Sequence, residues 1–320
     1  NWEMVYTRYA PLVKRVASRH ELTDILYEMH GELGTSHAYV VGGDVKISPQ
    51  WRLGFLGARF TYDTHNKCHR IDHLMKGDTW SRKHGSPLAA PGIRAKVGDK
   101  ILAINGQPIN QHEPIEAHLV AKANQDVLVT LEQDKILRHI NVPTLTSQHG
   151  IEYRDWVNKN RAYVHEKSQG RVGYIHIPDM GAFGYAEFHR GFLAECDYHG
   201  LIVDVRFNGG GHVSSLLLEK LARKRLGYDI SRWSGSLPYP TDSTHGRMVG
   251  LINEFAGSDG DIFASMFKSM NLGPLIGKRT WGGVIGYWAK HNLIDNGYTT
   301  QPEYSLWTYR EGWKMENHGV

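Results

Sequence analysis

The amino-acid sequence of 320 residues predicts an α/β protein that carries an N-terminal helical cap and an inserted, β-rich domain. Repeated strand–turn–helix units between residues 172 and 267 indicate the α/β class, because this alternation is typical of a parallel sheet covered by helices. Short β-rich runs separated by turns between residues 54 and 142 indicate the inserted domain. We therefore expect a cap over residues 1–45, a β-rich domain over 46–145 and an α/β core over 146–320.

The spacing of apolar residues predicts the elements of the first two domains. Between Trp2 and His30 they recur at helical spacing, which predicts one or two amphipathic helices with a break near His20. In the inserted domain, Pro114 to Ala123 has a helical pattern. The predicted strands of this domain cover residues 55–62, 100–105, 127–133 and 136–142.

Helices and strands alternate along the predicted core. The helices cover residues 150–167, 183–192 and 213–226, and the strands cover residues 172–178 and 200–207. A last unit, Met248 to Phe267, contains an apolar strand, a turn over Ala256 to Asp261 and an amphipathic helix. Residues 277–286 and 306–320 are predicted to be extended and rich in turns.

Ser258 lies in the turn of this last unit, between Gly257 and Asp259. A serine on a sharp turn between a strand and a helix is suited to nucleophilic attack, because the turn exposes its hydroxyl and the helix directs free N–H groups toward the same place. The same pattern also fits an ordinary helix N-cap. The G-x-S-x-G motif of hydrolases is absent, since Gly257 directly precedes the serine.

A glycine-rich turn, Asn208 to Gly211, follows the predicted strand that ends at Phe207. The G-x-G-x-x-G pattern of nucleotide-binding loops is absent, so nucleotide binding is disfavoured. Glycines in such a turn allow backbone N–H groups to approach a ligand, as the stabilisation of an oxyanion requires, and Gly211 is the candidate donor. A glycine turn without chemistry is the alternative.

Two further stretches carry groups that can move or hold a proton. Ser36 and His37 are adjacent in a turn, where His37 is a candidate general base, although such a pair is also common in solvated turns. Glu316 lies close to Asn317 and His318 near the end of the sequence, where a glutamate is usually part of the surface.

Composition argues against several classes of protein. The formal net charge is +4, and Lys and Arg are scattered without a basic run between aromatic residues, so we expect no nucleic-acid partner. No secretory leader and no apolar run long enough to cross a membrane is evident, so we expect no membrane partner. Cys68 and Cys196 are the only cysteines, which favours a reduced, cytoplasmic location.

One cluster of side chains superficially resembles a metal site. Its members are His65, Cys68, His69 and His73, spaced as H-x-x-C-H-x-x-x-H. Zinc sites built from such runs usually have a second half with paired ligands, and none is evident. We therefore expect neither a metal nor another cofactor.

Larger motifs carry two family resemblances. Residues 98–106 have the pattern G-D-x-I-x-x-I-N-G and resemble the core of a PDZ domain, which binds an extended peptide as an added strand. The segments GTSHAY (34–39), VDVRFNGGG (203–211), EFAGSDGDIF (254–263), RTWGG (279–283) and ENHGV (316–320) occur in the order found in tricorn proteases. The chain thus resembles the C-terminal half of these proteases, which are related to the tail-specific and C-terminal processing peptidases, with a catalytic core of the crotonase and Clp protease type.

The resemblance implies a role for each matching residue. Ser258 would be the nucleophile and His37 its general base, with Ser36 and Glu316 orienting and polarising the imidazole. The amides of Gly211 and Asp259 would form the oxyanion hole. Asp229 would bind a basic P1 side chain of a substrate held by a neighbouring subunit, as expected for the homo-hexamer of the family. The sequence begins at Asn1 without a Met, which suggests a fragment of a larger protein. Full-length members of the family carry β-propellers before the cap, and this chain shows none, so either they lie outside it or its lineage lacks them.

Three functional hypotheses follow. The favoured one is a cofactor-independent serine peptidase that trims short peptides, such as proteasome products, through a Ser-His-Ser-Glu tetrad. The second is a catalytically silent scaffold that binds peptides through its PDZ domain, although all four residue types of the tetrad are present. The third is acyl-CoA chemistry on a crotonase-like core, which leaves the serine and the PDZ domain unexplained.

Overall fold

The computed structural model describes residues 1–78, 84–288 and 292–320, which form two compact units. One unit contains residues 1–47 and 161–320, and the other contains residues 48–160. The described helices are α1 (Trp2–Val13), α2 (Arg19–Gly31), α3 (His149–Lys167), α4 (Ala182–Glu195), α5 (Ser214–Leu221) and α6 (Asp259–Ser269), with a 3-10 helix at Ile115–Leu119. The described strands are β1 (Val40–Val41), β2 (Ala58–Asp63), β3 (Cys68–Leu74), β4 (Lys100–Ile104), β5 (Gln107–Pro108), β6 (Asp126–Gln133), β7 (Ile136–Pro143), β8 (Val172–His176), β9 (Gly200–Asp204), β10 (Gly227–Ser231), β11 (Gly235–Tyr239), β12 (Arg247–Ile252), β13 (Leu275–Gly277) and β14 (Tyr298–Thr299).

The cap consists of two helices, α1 and α2. The side chain of Asn1 accepts a hydrogen bond from the amide of Glu3, and the Ser18 hydroxyl accepts one from the amide of Glu21. Each bond satisfies a free N–H group at a helix start. The break between the helices covers residues 14–18 rather than His20, because Ser18 provides the N-cap of the second helix.

A four-stranded parallel sheet in the order β13-β12-β9-β8 forms the core of the first unit. Helices α4, α5 and α6 connect its strands, and their side chains pack with those of the strands in one apolar cluster. Phe188, Phe192, Phe263 and Phe267 are among its fully buried members. Because the strands are parallel, the chain leaves β9 and β12 at the same edge of the sheet. The glycine turn after β9 and the serine turn after β12 therefore lie at one edge.

Strand β1 pairs with β14 in an antiparallel ladder, with Val40 opposite Thr299. Next to this ladder the buried Thr300 hydroxyl donates to the carbonyl of His37 at 2.6 Å and accepts from the amide of Tyr39 at 2.7 Å. These contacts connect the turn after the cap to the C-terminal part of the core.

The second unit contains an antiparallel sheet in the order β2-β3-β4-β6-β7, with β5 paired to β4. Its core includes Leu56, Ile71, Ile101, Val129 and Leu131. The predicted helix over residues 114–123 is wrong in extent, since only Ile115–Leu119 are helical and form a 3-10 helix. It ends there because Val120 is extended and Ala121 has a φ of 58°.

Two elements of the first unit end earlier than predicted, and one hairpin was not predicted. Strand β9 ends at Asp204 instead of residue 207, because the chain turns at Phe207, whose φ is 63°. Helix α5 ends at Leu221 instead of residue 226, because Leu221 is its last buried apolar residue and the chain then enters β10. Strands β10 and β11 form an exposed hairpin that the apolar spacing does not predict.

The described residues contain neither a membrane-spanning helix nor a disulfide. None of the helices seen in residues 1–78, 84–288 and 292–320 combines the length and apolarity needed to cross a lipid bilayer. Both cysteines, Cys68 and Cys196, are buried free thiols.

Candidate active site

Ser258 occupies a strained turn between β12 and α6. Its φ of 57° and ψ of −121° are rare for a residue other than glycine and cost about 1–3 kcal/mol. Ser258 stands at the N-cap position of α6, but its hydroxyl makes no capping hydrogen bond. The N-cap interpretation therefore accounts for the position of this residue and not for its side chain. A strained backbone at a serine whose hydroxyl makes no capping hydrogen bond is typical of a turn that carries a nucleophile.

The glycine turn lies directly against Ser258. A Cβ atom added to Gly210 would lie 2.6 Å from the Ser258 Cβ atom, so a larger residue cannot occupy this position without displacing the serine. The buried side chain of Asn208 holds the turn, because its Oδ1 accepts from the amide of Gly210 at 2.9 Å and its Nδ2 donates to the carbonyl of Ile177 at 2.8 Å. The carbonyl of Asn208 also accepts from the amide of Gly257 at 3.0 Å.

Two backbone N–H groups near Ser258 are available to a ligand. The amides of Gly210 and His212 donate to protein groups, whereas within the described residues the amide of Gly211 has no acceptor. The amide of Asp259 is the first of helix α6, where N–H groups have no partner inside the helix. The Asp259 side chain is directed elsewhere, since its buried carboxylate accepts from the amide and hydroxyl of Ser214.

His37 and Ser36 form the pair that the sequence places next to each other. The Ser36 Oγ atom lies 2.8 Å from the Nδ1 atom of His37, and no hydrogen bond joins Nε2 to another described residue. Glu316 does not contact the imidazole directly. Its Oε1 accepts from the amide of Ser36 at 2.6 Å, and its Oε2 accepts from the amides of Val284 at 2.6 Å and Ile285 at 3.0 Å.

Burial changes the acidity of this histidine. The pKa of His37 is lowered from its usual value, mainly because the half-buried imidazole loses hydration when it is charged. The negative charges of Glu316 and Asp261 act in the opposite direction and raise the pKa. The net lowering favours the neutral imidazole, which is the form that can accept a proton.

Ser258 and His37 line one cleft of about 790 Å³, together with the glycine turn. Glu254 is the one carboxylate among the lining residues of the described chain, and its Oε1 pairs with Lys278 Nζ at 2.7 Å. The walls are largely aromatic and include Tyr39, Phe255, Trp281, Tyr287, Trp288 and Tyr304. A concave cleft of this volume with largely apolar walls is typical of a ligand-binding site.

Asp229 does not lie in this cleft. It is an exposed residue of β10, opposite Leu237 in the hairpin. Ile230, Trp233 and Leu237 of the same hairpin expose 82%, 91% and 53% of their surface. Within a single chain, Asp229 is therefore separate from the other predicted site residues.

The four residues of the possible metal cluster are placed apart. Cys68 and His69 are successive residues of β3, so their side chains lie on opposite faces of the strand. His73 contacts Asp155, with 2.6 Å between Nε2 and Oδ2. In the described part of the chain, no group of three or more histidine, cysteine or acidic side chains is arranged to hold a metal ion.

One prominent site residue was missed by the sequence analysis. Asp261 is completely buried three residues after Ser258, and its carboxylate accepts hydrogen bonds from the amides of Gly282 and Gly283 at 2.8 Å and 3.2 Å. An acidic residue at the third position of a helix, three residues after an N-cap serine, is a known signal of a side chain that bonds back to the helix start. The D-G-D sequence after Ser258 contained this signal.

The chain is similar over its whole length to known peptidases. Residues 171–320 match the model of peptidase family S41, residues 54–147 match the tricorn protease PDZ domain, and residues 1–31 match the tricorn protease C1 domain. A tricorn protease homolog from Saccharolobus solfataricus is 46% identical over 100% of this chain and 30% of its own length. A tricorn protease from Thermoplasma volcanium is 44% identical over 99% of this chain and 31% of its own length. The crystal structure of a tricorn protease superimposes with a TM-score of 0.95 and 42% identity, covering 99% of this chain and 31% of that one.

By these matches, residues 171–320 are similar to the members of peptidase family S41. More narrowly, the chain as a whole is similar to tricorn proteases, as the order of the motifs predicted. The predicted fold class, an α/β core with a helical cap and a PDZ domain, is confirmed. The chain spans about a third of the length of the curated relatives that it matches. The matches do not favour the silent-scaffold hypothesis, while the exact domain boundaries at residues 45 and 145 stay predictions.

Proposed function

We propose that this chain supplies the catalytic part of a serine peptidase that hydrolyses short peptides, with Ser258 as the nucleophile. The proposal rests on the strained turn at Ser258. This turn places a hydroxyl that makes no capping hydrogen bond in the same cleft as His37. A strained backbone is retained where the surrounding structure requires it, most often at functional sites. The chemistry of such a site is acyl transfer.

His37 acts as the general base in the proposed reaction. When the Nδ1–H group donates to Ser36 Oγ, the Nε2 lone pair is available to accept the proton of Ser258. Glu316 acts through the main chain, because it holds the amide of Ser36 and thereby the position of the Ser36 hydroxyl. The negative charge of Glu316 also stabilises the imidazolium that forms.

The oxyanion is stabilised by the backbone amides of Gly211 and Asp259. Attack of Ser258 Oγ on the scissile carbonyl gives a tetrahedral intermediate whose oxygen is negatively charged. Preorganised N–H donors in a partly desolvated cleft stabilise that charge by about 3–4 kcal/mol each. Collapse of the intermediate releases the amine, which takes the proton from His37, and water then hydrolyses the acyl-enzyme by the same steps.

The proposal includes a preference for basic P1 residues, provided by Asp229 of another copy in a homo-hexamer. Asp229 is exposed and lies outside the cleft of its own chain, which supports a role in a neighbouring site. The apolar side chains around Asp229 are largely exposed to solvent in the single chain. This exposure supports burial of the hairpin in an assembly. The two buried free thiols support a cytoplasmic location, and short peptides such as proteasome products are the proposed substrates.

An active-site label tests the nucleophile. A fluorophosphonate should modify the wild-type protein once, and peptide mapping by mass spectrometry should locate the adduct on Ser258. Ser258→Ala should lose both labelling and hydrolysis of peptides while keeping its melting temperature. A wild-type protein that is labelled elsewhere, or a Ser258→Ala variant that hydrolyses peptides at the wild-type rate, would disprove the assignment.

A further inference from the structure

Asp261 is a buried carboxylate that the proposed reaction does not use. It is fully inaccessible to solvent, and both of its oxygens accept hydrogen bonds, Oδ1 from the amide of Gly282 and Oδ2 from the amide of Gly283. Burial raises its pKa, while hydrogen bonds from Thr280 and from the amides of Gly282, Gly283 and Ser258 lower it. A buried acid costs several kcal/mol unless it is fully hydrogen-bonded, so its retention beside the nucleophile requires a reason.

The segment held by Asp261 continues directly into the one held by Glu316. The four consecutive amides of residues 282–285 all donate to these two carboxylates, the first two to Asp261 and the last two to Glu316. Glu316 in turn accepts from the amide of Ser36, whose hydroxyl contacts His37. Hydrogen bonds, linked by the backbone of segment 282–285 and by Ser36, therefore connect the helix that follows Ser258 to the imidazole of His37.

Other contacts fix the same segment closely. Gly282 has a φ of 85°, and a Cβ atom added to it would lie 2.5 Å from the amide nitrogen of Gly319. The preceding residue, Trp281, donates its amide to the carbonyl of Ala256 at 2.9 Å in the nucleophile turn. Its ring lies 5.4 Å from the imidazole of His37. Segment 282–285 thus has little freedom to move except together with the groups at both of its ends.

We propose that Asp261 is a positioning residue, which sets the place of His37 relative to Ser258 through segment 282–285 and Glu316. It touches neither substrate nor a reacting atom. Asp261 lies three residues after Ser258 on the same helix, so its position is fixed relative to the nucleophile. By accepting hydrogen bonds from Gly282 and Gly283, it fixes segment 282–285, and through that segment His37, relative to Ser258. This inference rests on the proposed peptidase function, although its structural part can be measured without hydrolysis.

Asp261→Asn is the decisive variant, since it preserves shape and replaces one acceptor oxygen by an NH₂ group. That NH₂ group would face the amide of Gly282 or Gly283, so that two donors would meet without an acceptor. The hydrogen bond that holds this end of segment 282–285 would then be lost. We expect kcat to fall about ten- to a hundredfold, the scale of outer-shell losses, while KM changes by less than about threefold. A matched control is Glu195→Gln, which changes another buried acid that accepts hydrogen bonds but does not line the cleft.

The pH profile separates positioning from a loss of stability. The charged groups that act on His37 are Glu316 and Asp261, and Tyr39 and Tyr287 lie against its ring. Since Asp261 raises the pKa of His37, its replacement by Asn should move the acid limb of kcat/KM to lower pH. Glu195→Gln should lower the melting temperature without moving that limb. An Asp261→Asn variant that loses stability but keeps the wild-type kcat and acid limb would overturn the proposal.

Crystal structures of the wild type and Asp261→Asn provide a test that does not need activity. We expect segment 282–285 and the Ser36–His37 pair to be displaced together in the variant. Superposition of these groups on the wild type would contradict the positioning role, whatever the rates are. A wild-type protein that hydrolyses no peptide would instead contradict the proposed function, and the displacement would still decide the role of Asp261.

Discussion

At the scale of single residues, the proposed role of His37 as general base predicts how activity depends on pH. The imidazole must be neutral to accept the proton of Ser258, and burial lowers its pKa below the usual value of about 6.5. The acid limb of kcat/KM should therefore have its midpoint below this value, with full activity above it. Measurement needs a peptide that does not titrate between pH 5 and 8. A midpoint above 6.5 would show that Glu316 and Asp261 outweigh burial, contrary to our expectation.

At the scale of elements, the two turns at the edge of the parallel sheet must fit against each other. Gly210→Ala should lower kcat/KM at least a hundredfold, because its Cβ would lie 2.6 Å from Ser258 Cβ and its φ of 79° adds strain of about 1–3 kcal/mol. Gly209→Ala is the matched control, since a Cβ there meets nothing within 4 Å and its φ is ordinary. Steady-state kinetics of both variants, with melting temperatures, checks the prediction. Equal losses in the two variants would indicate a general effect on the turn instead of contact with the nucleophile.

At the scale of the whole molecule, the role proposed for Asp229 on the exposed hairpin of β10 and β11 predicts that substrate specificity depends on assembly. Asp229→Asn should remove most of the proposed preference for Arg over Leu at P1, because the carboxylate that we propose to pair with the guanidinium is lost. If Asp229 serves a neighbouring copy, mixing Asp229→Asn with the inactive Ser258→Ala should restore Arg-selective hydrolysis, since the second variant supplies the acid and the first supplies the serine.

Trp233→Ser tests the assembly itself. This residue exposes 91% of its surface on the hairpin, and its loss should lower the molar mass in sedimentation together with the Arg preference. Trp51→Ser, at an exposed tryptophan of the other unit, should change neither. An Arg preference that survives Asp229→Asn would point to another acid, and Glu254, which lines the cleft, would then be the first to test.

The sequence by itself determined the class of the fold and the residue types of the site. Apolar spacing and glycines act over a few residues, so the alternating strands and helices of the core and the turn at Ser258 could be predicted locally. The ends of these elements were less predictable. Helix α5 ends at its last buried apolar residue, Leu221, and the chain turns at Phe207, where φ is positive, and both features depend on tertiary packing. The roles proposed for Ser36, Glu316 and Asp229 rest on the family resemblance, since spacing along the chain carries no information on their contacts.

Only the tertiary structure decided which groups meet. Ser36 and Glu316 are 280 residues apart in sequence, yet the amide of one donates to the carboxylate of the other. Asp261 could be suspected from its position in the helix, but its bonds to Gly282 and Gly283 depend on how the C-terminal segment packs on that helix. Asp229, in contrast, lies apart from the cleft, although the family resemblance includes it among the site residues. The physical reason is that sequence patterns report local conformation and burial, whereas hydrogen bonds between distant segments form only when the sheet, the cap and the C-terminal turns are packed together.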